Sequence, residues 1–258
     1  MKNKLLLSFS LVSILAYSQT VPTAYSPLTG QTWMDRNLGA ESVATSFDDV
    51  NSFGDLYQWG RMNDGHQLRN SSTTNSISST NSPNHANFIL GSSDWLLNPD
   101  NNLWQGVNGE NNPCPEGFRI PTEEEFEAER LTWSSNDASG AFKSPLKLSV
   151  GGARSRMSGA IGNIGTFVGY RTSTINGAEV RLMGIALNNS FMGSRDKADG
   201  NCIRCIQDEG LSIEELNYKP KNLVRIIDIL GRTTEPKPNT ILFYIYDDGS
   251  VERKKINF

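Results

Sequence analysis

The residue type best suited to chemistry in this chain is cysteine, present as Cys114, Cys202 and Cys205. A thiolate can act as a nucleophile or a metal ligand, and two thiols can form a disulfide. The Cys202-x-x-Cys205 spacing is that of a redox pair. Such a pair owes its reactivity to a helix N-terminus, whereas the β-branched neighbours here predict a strand. We therefore predict no catalytic thiol.

The spacing of the carboxylates and histidines predicts no catalytic or metal-binding site. The adjacent acids Glu123–Glu125 have no histidine or carboxylate at metal-ligand spacing, and they are explained by stabilisation of a helix start. His66 and His85 lie in a polar stretch without the spacing that zinc requires. The segment 196–201 carries oxygens of the kind that calcium takes in lectin loops, although such a string is more typical of a turn. The sequence thus predicts no catalytic residue, no metal site and no cofactor.

The helices that would position these residues are few. The strongest helix prediction covers Pro121 to Trp133, where Thr122 can cap the first turn and Glu125 can return the hydrogen bond in a capping box. Residues 53–60 predict one or two helical turns docked by aromatic side chains and ended by a glycine.

Strands are predicted where apolar residues alternate between turn formers. In the last long strand of the main domain, Arg181 would face away from Leu182. The predicted strands are Thr32–Gly39 running into a turn, Lys147–Val150, Thr166–Tyr170, Val180–Leu187, Cys202–Ile206, Leu223–Leu230, Ile241–Tyr246 and Val251–Phe258.

The N-terminus has the pattern of a cleavable signal peptide, residues 1–18. Two lysines precede the apolar run Leu5–Ala16, and Ala16 and Ser18 supply the small residues that signal peptidase reads. A membrane anchor is the rival interpretation, but about 12 apolar residues fall short of the roughly 20 that span a bilayer. Nothing later in the chain reaches that length. Export to an oxidising compartment favours a disulfide over a metal site, and with three cysteines one is left over.

Length and charge narrow the class of protein further. A chain of 258 residues suffices for one substantial core and an accessory module. The 24 basic and 28 acidic residues give no strongly basic face, so nucleic acid is not a predicted partner. A hydrophobic fraction of 37% with 23 glycines indicates a loop-rich domain with short strands.

Residues 62–112 form a long polar insertion with few apolar anchors. A stretch of this length without regular structure is usually functional or mobile. Its tryptophans have two interpretations. Trp95 and Trp104 either pin the insertion to the core, which the tendency of large aromatics to be buried favours, or stand exposed as platforms for a sugar or peptide.

The C-terminal region divides into a polar linker, residues 209–221, and a β-rich module, residues 222–258. Two or three strands in so short a module would be marginally stable alone. The module is therefore expected to need a partner surface.

The main domain is predicted over residues 19–208. Four ordered motifs within it resemble the FISUMP domain, the major paralogous domain named from Fibrobacter succinogenes, over residues 31–208. They are Trp33–Gly39, Leu56–Arg61, Asn112–Thr122 and Ile203–Ile206. The resemblance implies an extracellular α+β domain of the C-type-lectin-like and formylglycine-enzyme-like class, with long loops on a small sheet. It also implies a disulfide between Cys114 and Cys205, while Cys202 stands where the family more often has another residue.

The tail is similar to the C-terminal segments of Bacteroidetes proteins exported by the type IX secretion system, although it lacks their early Asn-Pro strand. The resemblance implies a sorting or docking role for six of its residues. These are Gly231, Arg232, Tyr244, Tyr246, Asp248 and Gly249.

Together these features predict a non-enzymatic binding or adhesion protein at the cell surface or outside the cell. Outer-membrane type IX export and attachment proteins would bind the tail, and a glycan or surface protein would bind the main domain. The candidate ligand-surface residues are Trp95, Trp104, Arg171 and Arg181. Two alternatives are a subunit of a surface filament or gliding apparatus, and a formylglycine-enzyme-like oxidase, which would need a reactive cysteine pair.

Overall fold

The computed structural model describes residues 21–209, 222–247 and 249–255. The chain divides into two compact units after Asp208. The predicted signal peptide, residues 210–221 of the predicted linker, Asp248 and the last three residues of the final predicted strand lie outside the described residues.

The regular elements are short throughout. Two α-helices are described, α1 Glu123–Arg130 and α2 Ala138–Lys143, together with a 3-10 turn at Val50–Ser52. The strands in chain order are β1 Thr23–Ser26, β2 Gln31–Met34, β3 Thr73–Thr74, β4 Phe88–Ile89, β5 Phe118–Arg119, β6 Ala153–Arg154, β7 Ile161–Gly162, β8 Phe167–Asn176, β9 Glu179–Ala186, β10 Ser190–Arg195, β11 Ile206–Gln207, β12 Leu223–Ile227, β13 Ile241–Tyr246 and β14 Val251–Lys255.

The strands form several small sheets. In the first unit, β1-β2-β11-β5 and β10-β9-β8 are antiparallel sheets, β6 pairs with β7, and β3 and β4 form one short parallel pair. The predicted α+β fold class is therefore wrong, because the described residues are mostly β with two short helices. Many backbone amides between the strands donate to carbonyls far away in the sequence and not to carbonyls four residues back, as a helix requires.

The capping box that begins α1 is confirmed. The Thr122 hydroxyl accepts from the Glu125 amide at 3.2 Å, and the Thr122 amide donates to the Glu125 carboxylate at 2.7 Å. The helix ends at Arg130, three residues before the predicted end. Beyond it, the amides of Thr132 and Trp133 bond to carbonyls three residues back, so the chain tightens into 3-10-type turns.

The helix predicted over residues 53–60 is wrong. Gly54 has a φ of +68°, outside the right-handed helical region. The amides of Leu56, Tyr57 and Trp59 donate to the carbonyls of Gln67, Asn201 and Lys197, respectively. These distant partners replace the local hydrogen bonds on which a helix depends.

The strand predictions near β8 and β9 are confirmed, and Arg181 is half-buried while Leu182 is buried. Lys147–Val150 forms no strand, because Lys147 has a φ of +46° and the Val150 amide donates to the Phe47 carbonyl. The Cys202–Ile206 prediction holds only at its end, where β11 begins. Strand β10 was not predicted.

Two hydrophobic clusters form the core of the first unit. In one cluster, the Phe126 ring lies between the rings of Trp33 and Tyr170. Its centroid is 5.1 Å from that of Trp33 and 6.1 Å from that of Tyr170. The other cluster centres on Trp59, which lies against Trp104 at 5.6 Å. A buried aromatic side chain of this kind contributes about 1.5–3 kcal/mol by its removal from water.

The second unit is a three-stranded antiparallel sheet of order β12-β13-β14. The tail strands were predicted, and Ile226, Leu242 and Tyr244 are buried on it.

No helix among the described residues is long and apolar enough to span a membrane.

Candidate ligand-binding site

The cysteines are arranged as the family resemblance implies. Cys114 and Cys205 form a disulfide. Cys202 is a free, buried thiol that donates to the Phe53 carbonyl at 3.4 Å, and burial raises its pKa to about 11. A thiol with this pKa is protonated at neutral pH and is a poor nucleophile.

The two candidate tryptophans are anchors of the insertion. Trp95 and Trp104 are both buried, so their rings cannot form a ligand platform. The Trp95 indole donates to the Trp59 carbonyl at 2.6 Å, and the Arg61 guanidinium lies 5.5 Å from its ring centroid. The insertion is thus pinned to the core of the first unit.

The two candidate arginines differ in exposure. Arg171 is buried, which removes it from the ligand surface, and burial lowers its pKa to about 10. Arg181 is half-buried and forms a bidentate ion pair with Glu123 at 2.8 and 2.5 Å. The Arg181 guanidinium is therefore already paired with a carboxylate in the first turn of α1.

Arg171 organises the segment 196–201 as a turn. Its Nη2 donates to the carbonyls of Asp196 and Asp199 at 2.8 and 2.5 Å. Arg156 pairs with the Asp196 carboxylate at 2.7 Å, and its amide donates to Asp199 at 3.0 Å. The backbone carbonyl and one carboxylate oxygen of both Asp196 and Asp199 are thus already hydrogen-bonded within the protein. Among the described residues no group of three or more His, Cys, Asp or Glu could hold a metal ion.

An aromatic pair covers the sheet face that carries Arg171. Phe191 on β10 lies opposite Gly184 on β9, which lies opposite Gly169 on β8. A Cβ atom at Gly184 would lie 2.7 Å from the Phe191 ring, so glycine there lets the ring lie flat on the sheet. Phe167 stacks on Phe191 with centroids 6.4 Å apart and an angle of 24° between the ring planes.

A groove of about 340 Å³ lies beside this aromatic pair. Its lining residues come from five segments. They are Ala153–Ser155, Ser158 with 160–163, Phe167 on β8, Arg195 on β10, and Asp199 with Asn201. Because alternate residues of a strand share a face, Arg195 lies on the same face of β10 as Phe191. Phe191 is 41% exposed and Arg195 is also exposed.

The charge in this groove is positive. Arg154 donates to the Gly159 carbonyl at 2.9 Å and to both the hydroxyl and the carbonyl of Ser71, so its donors are used inside the protein. Arg195 differs, since its guanidinium has no hydrogen bond or ion pair among the described residues. Asp199 is the one acidic residue lining the groove. An exposed guanidinium beside an aromatic surface is suited to an anionic group on a ring-shaped ligand.

The sequence interpretation missed Phe167, Phe191 and Arg195. The pattern that could have identified two of them is the alternation Phe191-x-Gly193-x-Arg195 in β10. It predicts a strand with Phe191 and Arg195 on the same face. The sequence does not show that Phe191 lies opposite Gly184, because this depends on the register of β10 and β9.

The predicted docking residues of the tail lie in the second unit. Gly231 and Gly249 have φ values of +78° and +82°, which fits them to turns. Arg232 pairs with Asp228 at 2.8 Å, and Tyr244 is buried in the sheet. The Tyr246 hydroxyl donates to Glu252 at 2.9 Å.

No protein-family model, curated protein or solved structure matches the chain.

Proposed function

We propose that this chain is an exported, non-enzymatic binding protein of the cell surface, and that the groove beside Phe167 and Arg195 binds an acidic carbohydrate. The observation that carries the proposal is the Arg195 guanidinium, which has no partner among the described residues and lies on the same sheet face as the stacked phenylalanines. Arginine forms paired hydrogen bonds with a carboxylate, and an aromatic ring offers apolar area to the C–H face of a sugar.

The shape and the remaining groups of the groove support a small polar ligand. Its volume of about 340 Å³ lies at the lower end of the range for small-molecule sites. The exposed side chain of Asn163 lines it and offers an amide donor and acceptor for hydroxyl groups. A uronic-acid unit combines these features, with one carboxylate, several hydroxyls and an apolar ring face.

Export and surface attachment remain part of the proposal and rest on the sequence. The signal peptide would direct export, and the tail unit would dock to the outer-membrane type IX machinery. The FISUMP resemblance supports an extracellular role for the first unit. A subunit of a surface filament or gliding apparatus is the second candidate, and stoichiometric recovery of the protein within a larger assembly would favour it.

The formylglycine-enzyme-like oxidase is disfavoured by the cysteine geometry. That chemistry needs a reactive pair, whereas Cys114 and Cys205 are joined and Cys202 is buried with a raised pKa. Turnover of a sulfatase-type peptide by the purified protein would overturn this argument.

The test is binding of oligogalacturonate and of its neutral counterpart, oligogalactose, by calorimetry. We expect saturable binding of the acidic sugar and at least tenfold weaker binding by Arg195→Gln, which removes the charge. Arg253→Gln is the matched control, because Arg253 is exposed on the tail unit. Equal affinity of the two variants for the acidic sugar would refute the proposal, as would equal affinity of the wild type for both sugars.

A further inference from the structure

A second groove of the first unit, of about 440 Å³, shares no lining residue with the first. It is framed by the turn after β2, by residues 50–55 and by residues 68–70. Backbone hydrogen bonds hold the frame together. The Glu41 amide donates to the Asn51 carbonyl at 2.9 Å, and the Asp55 amide donates to the Leu38 carbonyl at 3.0 Å.

The half-buried carboxylate of Asp55 lines this groove without a partner. It makes no hydrogen bond or ion pair with any described residue. Gly39 makes room for it, since a Cβ atom at that position would lie 2.3 Å from Asp55 Oδ2 and the φ of Gly39 is +79°. Burial of a carboxylate without a donor is unfavourable, so the site is suited to a ligand that supplies donors.

Arg69 is the nearby cation, but two of its three donor nitrogens bind backbone carbonyls, and Nη2 makes no hydrogen bond with a described residue. Its Nε donates to the Gly54 carbonyl at 2.6 Å and its Nη1 donates to the Gly151 carbonyl at 2.9 Å. Its guanidinium lies 5.5 Å from the centroid of the Phe53 ring. Arg69 therefore fixes the backbone of the groove and leaves the Asp55 carboxylate open.

The other lining groups indicate the chemistry of the ligand. The side chains of Glu41, Asn51 and Asn70 have no hydrogen-bond partner among the described residues. At the rim, Val50 is 70% exposed and Leu68 is 46% exposed. Two carboxylates, two amides and an aliphatic rim without an aromatic ring fit a cation on an apolar chain better than a sugar ring.

We propose that this groove binds a primary ammonium group carried on an aliphatic stem, as in a lysine side chain. The ammonium would pair with Asp55 and donate to the amide oxygens of Asn51 and Asn70, while the methylenes would lie along Val50 and Leu68. This site goes beyond the carbohydrate groove, and it would give the protein a second class of ligand.

The affinity should depend on pH through Asp55. Burial raises the pKa of this carboxyl to about 6, with Arg69 acting in the opposite direction. Glu41 also lines the groove, and Tyr57 and Cys202 are neutral neighbours whose pKa values are raised by burial and, to a smaller extent, by Asp55. At pH 5 about nine-tenths of Asp55 is protonated, so binding should weaken by up to about tenfold relative to pH 7.5.

The experiment titrates the full chain with Nα-acetyl-lysine methylamide and follows it by NMR at pH 7.5 and pH 5. We expect saturable binding at pH 7.5, a loss of at least tenfold in Asp55→Asn, and wild-type binding in Asp48→Asn. Asp48 is the matched control, since it is an exposed aspartate outside the groove whose carboxylate accepts from Ser46. Pentylamine in place of the lysine compound distinguishes the source, because weaker binding of the free amine would indicate a lysine within a protein partner.

Several outcomes would overturn the proposal. One is the absence of saturable binding by the wild type, and another is equal binding of the Nε-acetylated compound, which lacks the charge. A third is wild-type affinity in a folded Asp55→Asn. Should that variant fail to fold, Glu41→Gln, an exposed change, is expected to weaken binding about threefold, and unchanged affinity would then refute the site.

Discussion

The most informative perturbation of the fold is Asn37→Ala, which breaks a buried polar network beneath the aromatic core. The Asn37 carbonyl oxygen accepts from Arg204 Nη2 at 2.9 Å and from Nε at 3.2 Å. Its amide nitrogen donates to the Ser52 carbonyl at 3.1 Å and to the Tyr170 hydroxyl at 3.0 Å. Both Asn37 and Arg204 are buried. One small side chain therefore joins three segments of the first unit.

The magnitude follows from the groups that the substitution leaves without partners. Burial lowers the pKa of Arg204 to about 10, so the guanidinium is still charged at pH 7. Each buried polar group left unsatisfied costs about 1–3 kcal/mol, and more when it is charged. Breaking a buried charged network costs about 3–5 kcal/mol in total, which we expect for Asn37→Ala. That is a large share of the roughly 5–15 kcal/mol of a typical domain.

The assay is urea denaturation at pH 7, followed by tryptophan fluorescence. With an m-value of about 2 kcal/mol/M, the midpoint should fall by about 2 M. Asn188→Ala is the matched control, because Asn188 is exposed and an exposed change of this kind shifts stability by less than about 0.5 kcal/mol. The double variant Asn37→Ala/Arg204→Met should lose less than the sum of the two single variants, since both act on one interaction. A midpoint for Asn37→Ala equal to that of Asn188→Ala would refute this account of the network.

Three further predictions concern the cysteines and the acid response. Cys202 should resist Ellman's reagent in the native protein and react in denaturant, because burial raises its pKa; rapid native labelling would contradict its placement. Cys114→Ser/Cys205→Ser should lower the unfolding free energy by about 3–5 kcal/mol, since the disulfide closes a loop over a separation of 91 residues; reduced wild type is the control, and an unchanged urea midpoint would count against the bond. Burial lowers the pKa of His66 from 6.5 to about 4, with its Asp64 bond acting in the opposite direction. As the pH falls, the unfolded chain therefore binds the proton before the folded chain does, and the unfolding free energy should fall between about pH 6.5 and pH 4. His66→Gln should flatten this part of the stability curve. An identical slope in the variant would exclude His66 as the cause.

Local patterns in the sequence determined the elements whose hydrogen bonds are local. The capping box at Thr122 and Glu125 formed as predicted, since both partners lie within one helical turn. The alternation around Val180 predicted β9, and the tail strands followed in the same way. The disulfide between Cys114 and Cys205 came from the family resemblance, which carries long-range information that spacing alone lacks.

Tertiary structure decided everything that depends on distant partners. Residues 53–60 have helical composition, yet their amides bond to chain more than a hundred residues away at Asn201 and Lys197. Arg171 was predicted to lie on the ligand surface, but it is buried and donates to carbonyls of the segment 196–201. The two grooves also depend on long-range packing, because Gly184 accommodates the Phe191 ring and Gly39 accommodates the Asp55 carboxylate only in the folded sheet and turns. A sequence specifies which side chains are present, but their exposure and their lack of partners are properties of long-range packing.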